Sequence, residues 1–541
     1  MKIVSIADKT GSAIDRLCKM NIARLPHITF DHFCVHPKRP DPAVVDAVRR
    51  SIRNADLIDF GYWKSAVLLR RLIPEIEKIP MILTHNNEHN INDDKRNHWE
   101  WQEMAWPKII VKNKWQLHQL EAREYKPHLI RHAFEAACYS FVPQLTQERV
   151  VGYVGQIKKV KGVRELKAAC DKLGYRLIVV GGASEAAYWD ELKKDNVEFL
   201  NNIPDEELGA IYHRMRVFVC NSDDGTESGT LPVLEAMASG IPVVSRLVGH
   251  VRDFAKDGSN IIVNNAHYTD VDVLAAKIKQ VMEDDALANA IREEAWRTSR
   301  QYHPDIHARE YEKVYYQVLY PNEPSVSVIM PTCNRAQVLA ENLAALAGQS
   351  YRAFEVVVCD DGSSDNTRAV VEEARREYGY AIRYIQTGNF AQGDAKPYGL
   401  AKARNMGVID AIGKIVVLCD DRQRMHSGAI EAFVRQLEKV AKERGNTKVW
   451  AWGSKGAYKG FVENFSATYR QELINGGMFN ERMDEYGGMT QEISNRFTRQ
   501  GFALTWTPTA VAEALMSTHS KSNHREAIVR SKIKLYKLGM Q

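Results

Sequence analysis

Two glutamates, Glu227 and Glu235, sit seven residues apart in ESGTLPVLEAMASGIPVV. The first follows the apolar run VFVCN and the loop 223–226, and the second falls inside the helical segment that comes next. Carboxylates so placed can accept paired hydrogen bonds from the vicinal hydroxyls of a ribose or a hexose. The amides of residues 228–231, at the start of that helix, suit a diphosphate. An isolated glutamate pair is usually two solvated helix residues. This one is singled out by the strand, Gly-containing loop and PVV strand that surround it in register. In the second half of the chain, FEVVVCDDGSSDNT and GKIVVLCDDR repeat a strand followed by an acidic loop.

The elements that must position these residues alternate between short apolar runs and amphipathic helices. KIVSIA, DLIDFG and PMILTH read as strands over 1–145, and RVVGYVG, RLIVVGG, VEFL, VFVCN and IPVVSR read as strands over 146–320. Strands alternating with helices predict βαβ units and parallel sheets, in an α/β fold. The segment 303–320 reads as a closing amphipathic helix, and Pro321, Asn322, Glu323 and Pro324 break it. The expected organisation is therefore two lobes, 1–145 and 146–320, a linker at 321–325, and a further α/β domain at 326–541. Ligands of open α/β sheets bind at the carboxyl ends of the strands, where all the acidic loops lie.

Composition is that of an ordinary globular chain, with 45% hydrophobic and 26% charged residues in 541. At roughly 100–200 residues per domain, that length predicts about three domains. The net charge of +5 is compatible with anionic ligands and does not by itself point to nucleic acid. None of the eight cysteines forms a C-x-x-C pair, which predicts free thiols and a reducing, cytoplasmic setting. No run approaches the ~18 apolar residues of a membrane span, although a peripheral membrane contact stays compatible. MKIVSIADKT is too short in its apolar part for a signal peptide and reads as a first strand.

The Glu-x7-Glu stretch, with YVGQIKKVKGV and GHVRDFAKDGSNIIV, resembles the retaining glycosyltransferases of family 4, which have the GT-B fold of two Rossmann-like lobes. The resemblance covers about 1–320. It implies that Glu227 meets the donor sugar and Glu235 the nucleotide ribose, with Gly229, Thr230 and Leu231 along the donor. Lys161 falls on the family's diphosphate-binding lysine, so the leaving diphosphate would be stabilised electrostatically, with no metal required. Gln156 stands where the family usually has a basic residue. Gly11 follows the first strand in a candidate anion loop. His85 sits where the family often places a histidine near the donor sugar, and the segment 98–106 is rich in tryptophan.

SVSVIMPTCNRAQVL, FEVVVCDDGSSDNT and GLAKARNMGVIDAIGKIVVLCDD, in that order, resemble family 2 glycosyltransferases, which have the GT-A fold. That resemblance covers about 326–520. It implies base contacts from Asp360 and Asp361 and nucleotide-facing positions at Pro331, Thr332, Asn334, Arg335 and Arg404. It also implies a divalent cation, Mn²⁺ or Mg²⁺, near Asp420, with Asp421 and His519 as ligands and His524 as the alternative. The family's Asp-x-Asp ends here in Arg422. Its acidic pair after a double glycine is here Met489 and Thr490, so Glu492, Asp484 or Glu485 would have to supply a base.

Together these features predict an enzyme that transfers sugars from nucleotide-diphosphate donors to a glycan or other hydroxyl acceptor through two modules. One alternative keeps only the first module catalytic and makes the second a binding domain. Another makes the acceptor a modified base in DNA, as in phage-type transferases.

Overall fold

Apolar runs flanked by turn residues become strands, and the central parallel strands of each sheet are buried on both faces. A computed structural model describes the chain except residues 87–107, 183–191, 193–195, 224–226, 228, 389–398, 456–458, 484–487 and 516–541. The segment 98–106 and residues Asp484, Glu485, His519 and His524 therefore lie outside the described residues. The chain forms two compact units, Lys2–Pro26 with Phe30–Tyr311, and Met1 with His27–Thr29 and Glu312–Gln541.

The first unit holds two six-stranded sheets. One is built from β1 (Lys2–Ala7), β2 (Thr29–Cys34), β3 (Leu57–Phe60), β4 (Met81–His85), β5 (Lys108–Val111) and β6 (His128–Leu129), in the order β2-β1-β3-β4-β5-β6. The other is built from β7 (Val150–Val154), β8 (Arg176–Val180), β9 (Val197–Leu200), β10 (Val217–Cys220), β11 (Val243–Ser245) and β12 (Ile262–Val263), in the order β12-β11-β10-β7-β8-β9. The pairings from β3 outward in the first sheet and throughout the second are parallel. Each lobe has its own apolar core, around Val4, Phe60 and Leu83 in one and Val151, Phe218 and Leu234 in the other.

The second unit carries one mixed sheet. Its strands are β13 (Val326–Thr332), β14 (Phe354–Asp360), β15 (Ala381–Gln386), β16 (Ile415–Cys419), β17 (Gln423–Met425), β18 (Val449–Ser454), β19 (Phe465–Tyr469) and β20 (Ala503–Ala514). They run in the order β15-β14-β13-β16-β19-β18-β20-β17. Strands β15, β14, β13 and β16 are mutually parallel, and β19 joins β16 antiparallel. Cores lie on both faces, one around Val328, Val356 and Phe433, the other around Ile329, Val357 and Trp450. The GT-B and GT-A architectures expected from the motifs are thus both present. Among the described residues no helix is long and apolar enough to cross a membrane.

The boundary between units falls at 311/312, not at the proline-flanked break of 321–325. Residues Glu312 and Tyr316, late in the helix Pro304–Leu319, explain the shift. Glu312 is fully buried and forms an ion pair with Arg383, which also donates to Glu355 at 2.7 Å. Tyr316 is buried and donates its hydroxyl to the Phe354 carbonyl at 3.1 Å. Turn chemistry marks where a helix stops, whereas its last turns join whichever core buries them. A fragment 325–541 should therefore melt lower than 304–541, by roughly 5 °C or more, because it loses a buried tyrosine and a partner of Arg383. Thermal unfolding of the two fragments measures this, and equal midpoints would place the boundary back at the break.

Candidate functional site

In the first unit the chain leaves β10 at Asn221 and Ser222 and reaches Glu227 just before the helix Leu231–Ala238, whose first turn carries Pro232. The pyrrolidine is tolerated there because the first-turn amides have no partner within the helix. Opposite, Lys161 closes the short turn Lys159–Lys161. Gly162 follows in the left-handed region at φ +64, and a Cβ there would lie 2.5 Å from the Asn221 carbonyl oxygen. Only glycine lets this turn lie so close to the end of β10.

That approach brings Lys161 and Glu227 into an ion pair. Ser222 Oγ donates to the same Glu227 carboxylate at 3.0 Å. A cavity of about 130 Å³ is lined by Lys161, Glu227, Gly229 and Thr230 together with Gln156. A larger cleft of about 400 Å³ is lined by Arg16, Phe134, Gln156, Gly229, Leu231 and Glu235. Its size lies within the ordinary range for small-molecule sites. Glu235, half-buried, accepts from the Tyr212 hydroxyl at 2.8 Å. Burial lifts its carboxyl to about 7, against the lowering effect of the Tyr212 hydrogen bond. Lys161, Gln156, Glu227, Gly229 and Thr230 thus line one cavity, and Leu231 and Glu235 line the cleft beside it, which shares Gln156 and Gly229.

Gly11 and His85 do not join them. The Gly11 amide donates to Asp15 Oδ2 at 2.8 Å, so it is committed to the start of its own helix and not offered to an anion. His85 ends β4 with no exposed surface and lines neither cavity. Burial lowers its ring to about 3, which keeps it neutral.

A different histidine lies at the site. His132 is buried against the loop that precedes the helix Leu231–Ala238, where a Cβ on Gly229 would stand 2.3 Å from its ring. Both of its ring nitrogens lack a hydrogen-bond partner among the described residues. His250 meets it edge-on at 5.4 Å, and burial holds both rings below the usual range. No motif flags His132 in HLIRHAF. The hint available in the sequence was its place just after a short strand.

In the second unit, parallel register sets Pro331 beside Cys359 and Thr332 beside Asp360. Asp360 Oδ1 accepts from the Ser363 amide at 2.8 Å and the Ser363 hydroxyl at 2.6 Å. Asp361 Oδ1 accepts from Thr387 Oγ1 at 2.7 Å. Asn334, at φ +51, braces the acidic loop by donating its amide to Ser363 and accepting from the Ser364 amide.

The carboxylates after β16 face guanidinium groups. Asp421 is 0% exposed, accepts from Thr332 Oγ1 at 2.8 Å and pairs with Arg335 at 2.9 Å. Burial raises its carboxyl, and Arg335 opposes that rise. Asp420 accepts from Arg404 at 2.8 Å and from Asn464 at 3.2 Å. Arg404, itself buried, also pairs with Glu463 at 3.2 Å. A divalent ion that grips a nucleotide's phosphates needs carboxylate oxygens open to the cleft. Asp421 offers none, and its charge is already met by Arg335. The described residues therefore do not fit the cation expected here, and His519 lies outside them.

Glu492 does not reach this site either. It is 2% exposed, in the helix Met489–Arg499, and pairs with Arg496 one turn on at 2.7 Å. The carboxylate brought to the place of the missing acidic pair is Glu463, which accepts from Thr490 Oγ1 as well as from Arg404. Glu463 precedes β19 in a loop without a motif, so only the fold reveals it.

Fold and sites together define a class: a GT-B module followed by a GT-A module. Residues 140–298 match the family model for glycosyl transferases group 1, and residues 327–444 match that for glycosyl transferase family 2. The chain is a fusion of these two glycosyltransferase modules. It is 28% identical over 201 residues to GalNAc(5)-diNAcBac-PP-undecaprenol beta-1,3-glucosyltransferase of Campylobacter jejuni, covering 34% of this chain and 62% of that one. It is 30% identical over 155 residues to O-antigen chain mannosyltransferase B of Escherichia coli, covering 26% of this chain and 39% of that one. In each case it therefore spans less than two thirds of the relative's length. Sucrose-phosphate synthase of Thermosynechococcus elongatus superposes with a TM-score of 0.51 at 17% identity, over 60% of this chain and all of that one, a likeness of fold.

The raised carboxyl of Glu235 makes a testable demand. A carboxyl whose folded value lies near 7, above an ordinary 4.5, keeps its proton longer in the folded chain. Its contribution to stability is therefore full below about pH 4.5 and is lost as pH rises to about 7, at a cost on the order of 2 kcal/mol. Glu235→Gln should raise the melting temperature of the chain at pH 8 and leave it nearly unchanged at pH 5. Thermal unfolding across that range measures the difference, and parallel curves for the two proteins would contradict it.

Proposed function

We propose that the protein is a nucleotide-sugar-dependent glycosyltransferase whose GT-B module carries transfer in the cleft between its lobes. The observation behind this reading is that Lys161 and Glu227 line one cavity and Glu235 lines the cleft beside it, the two sharing Gln156 and Gly229. Glu235 accepts the ribose hydroxyls, Glu227 the hydroxyls of the donor sugar, and Lys161 meets the diphosphate. As the sugar leaves, the bond from its C1 to the diphosphate breaks with the electron pair on the diphosphate. Lys161 and the helix-start amides stabilise that charge. The acceptor oxygen bonds C1 and passes its proton to the oxygen of the departing diphosphate. His132 packs behind Gly229 and holds the donor loop at its distance. Binding of a donor draws Lys161 partly away from Glu227, which frees that carboxylate for the sugar.

The acceptor in this reading is a hydroxyl of a growing glycan, in the cytoplasm. The C. jejuni and E. coli relatives are named for an undecaprenyl-linked glycan and for an O-antigen chain. These names favour a glycan over modified DNA. A second reading makes the GT-A module a nucleotide-binding domain without transfer, and the closure of Asp421 against Arg335 favours it. In the two-headed reading the GT-A module transfers a second sugar.

Glu235→Ala should weaken nucleoside diphosphate binding at the GT-B site by about 2–4 kcal/mol, measured at pH 8 where the carboxyl is ionised, since an acceptor of two hydroxyl bonds is lost. Calorimetric titration of UDP and GDP reads this directly. Turnover of a panel of nucleotide sugars by Glu235→Ala and Asp360→Asn separates the readings. If Glu235→Ala removes all turnover, a single active module is supported, whereas activity left in that variant and lost on adding Asp360→Asn supports two.

A further inference from the structure

We propose that the N-terminal lobe carries a Zn²⁺ site formed by Asp15, His32 and Cys34, none of which lines either cavity described above. His32 and Cys34 are two apart on β2, so both side chains leave the same face of the strand. That face meets Asp15, in the first turn of the helix Ala13–Arg24. His32 Nε2 lies 2.8 Å from Asp15 Oδ1, Cys34 Sγ lies 3.3 Å from that oxygen, and Sγ and Nε2 are 3.9 Å apart. All three donor atoms fall within 4.8 Å of one another, and among the described residues this is the group of three or more such ligands. Tetrahedral zinc with ordinary bonds to N, O and S sets its ligand atoms about 3.3–3.5 Å apart. The metal-free spacing brackets that value, so a small adjustment admits the ion.

The surroundings are those of a histidine–metal site. His32 Nδ1 lies 3.1 Å from Ser5 Oγ on the neighbouring strand, which can accept its proton and leave Nε2 with a free pair for the metal. Lys19 and the Gly11 amide hold the other carboxylate oxygen of Asp15, at 2.9 and 2.8 Å, and fix the orientation of Oδ1. Asp15 is buried, while His32 and Cys34 keep partial exposure, which leaves an opening for the ion and for a water as fourth ligand. One imidazole, one thiolate and one carboxylate oxygen suit zinc better than Mg²⁺ or Ca²⁺. Binding releases the thiol proton of Cys34, so affinity rises with pH. The bound ion would staple edge strand β2 to the start of the helix and to the loop at Gly11. This site is independent of the transfer chemistry and stands or falls separately from it.

The test uses the full chain, stripped with a chelator and dialysed. Co²⁺ serves as the optical probe. The wild type should show intense visible bands of tetrahedral Co²⁺ and a near-ultraviolet thiolate charge-transfer band. Cys34→Ser should remove the charge-transfer band, and His32→Gln should weaken Co²⁺ binding by about tenfold or more. Because either variant could misfold, a second measurement uses the wild type alone. Zn²⁺ should slow iodoacetamide alkylation of Cys34, read by peptide mass spectrometry, by about tenfold or more while leaving Cys333 unchanged. Alkylation of Cys34 at one rate with and without Zn²⁺ overturns the proposal. So do Co²⁺ spectra that are the same for the wild type and a folded Cys34→Ser.

Discussion

Carboxylates gathered at strand ends repel one another, and each must be balanced by a positive charge close by. In this chain the charge comes from its own side chains. Lys161 balances Glu227, Arg335 balances Asp421, and Arg404 lies between Asp420 and Glu463. Taking such pairs out of water is costly, so they persist where the geometry supplies further hydrogen bonds. Ser222, Thr332, Asn464 and Thr490 supply them. Much of the local architecture of both modules serves these contacts, from the left-handed glycine at 162 to the paired ends of β13 and β14.

The two modules answer the same constraint differently. In the first, the balancing lysine lines an open cavity and keeps part of its surface exposed. In the second, the guanidinium of Arg335 meets a carboxylate with no exposed surface, so the pair behaves as part of the core. This difference separates an ion pair on a cavity wall from one enclosed in the core. It also explains why two acidic residues after a strand are not sufficient to specify a metal site.

The sheets were legible because their strands are short, apolar and bounded by turn residues, and Glu227 and Glu235 were legible as a pair because the strand end, loop and helix that carry them are contiguous in the chain. What the sequence hid depends on contacts between distant segments. Arg335 neutralises Asp421 from 86 residues away, which turns an expected metal ligand into a buried ion pair. Glu463 replaces a carboxylate expected at 490, from a loop with no motif. His132 packs on the loop at Gly229 only because Gly229 has no side chain, a reciprocity that neither residue shows alone. Glu492 misled because an i,i+4 pair with Arg496 is invisible when a carboxylate is sought for catalysis. The segment boundary misled because Pro321 and Pro324 announce the end of a helix and say nothing about which core its last turns join.

That last point has a genetic consequence. The helix Pro304–Leu319 begins in one compact unit and completes the other with Glu312 and Tyr316. A gene cut at the obvious proline break would give one product a helix end with nothing to bury it and the other a hole where Tyr316 belongs. Fission of the fused gene would therefore be selected against at its simplest cut point. As long as the fusion persists, a single message fixes the two modules at one copy of each.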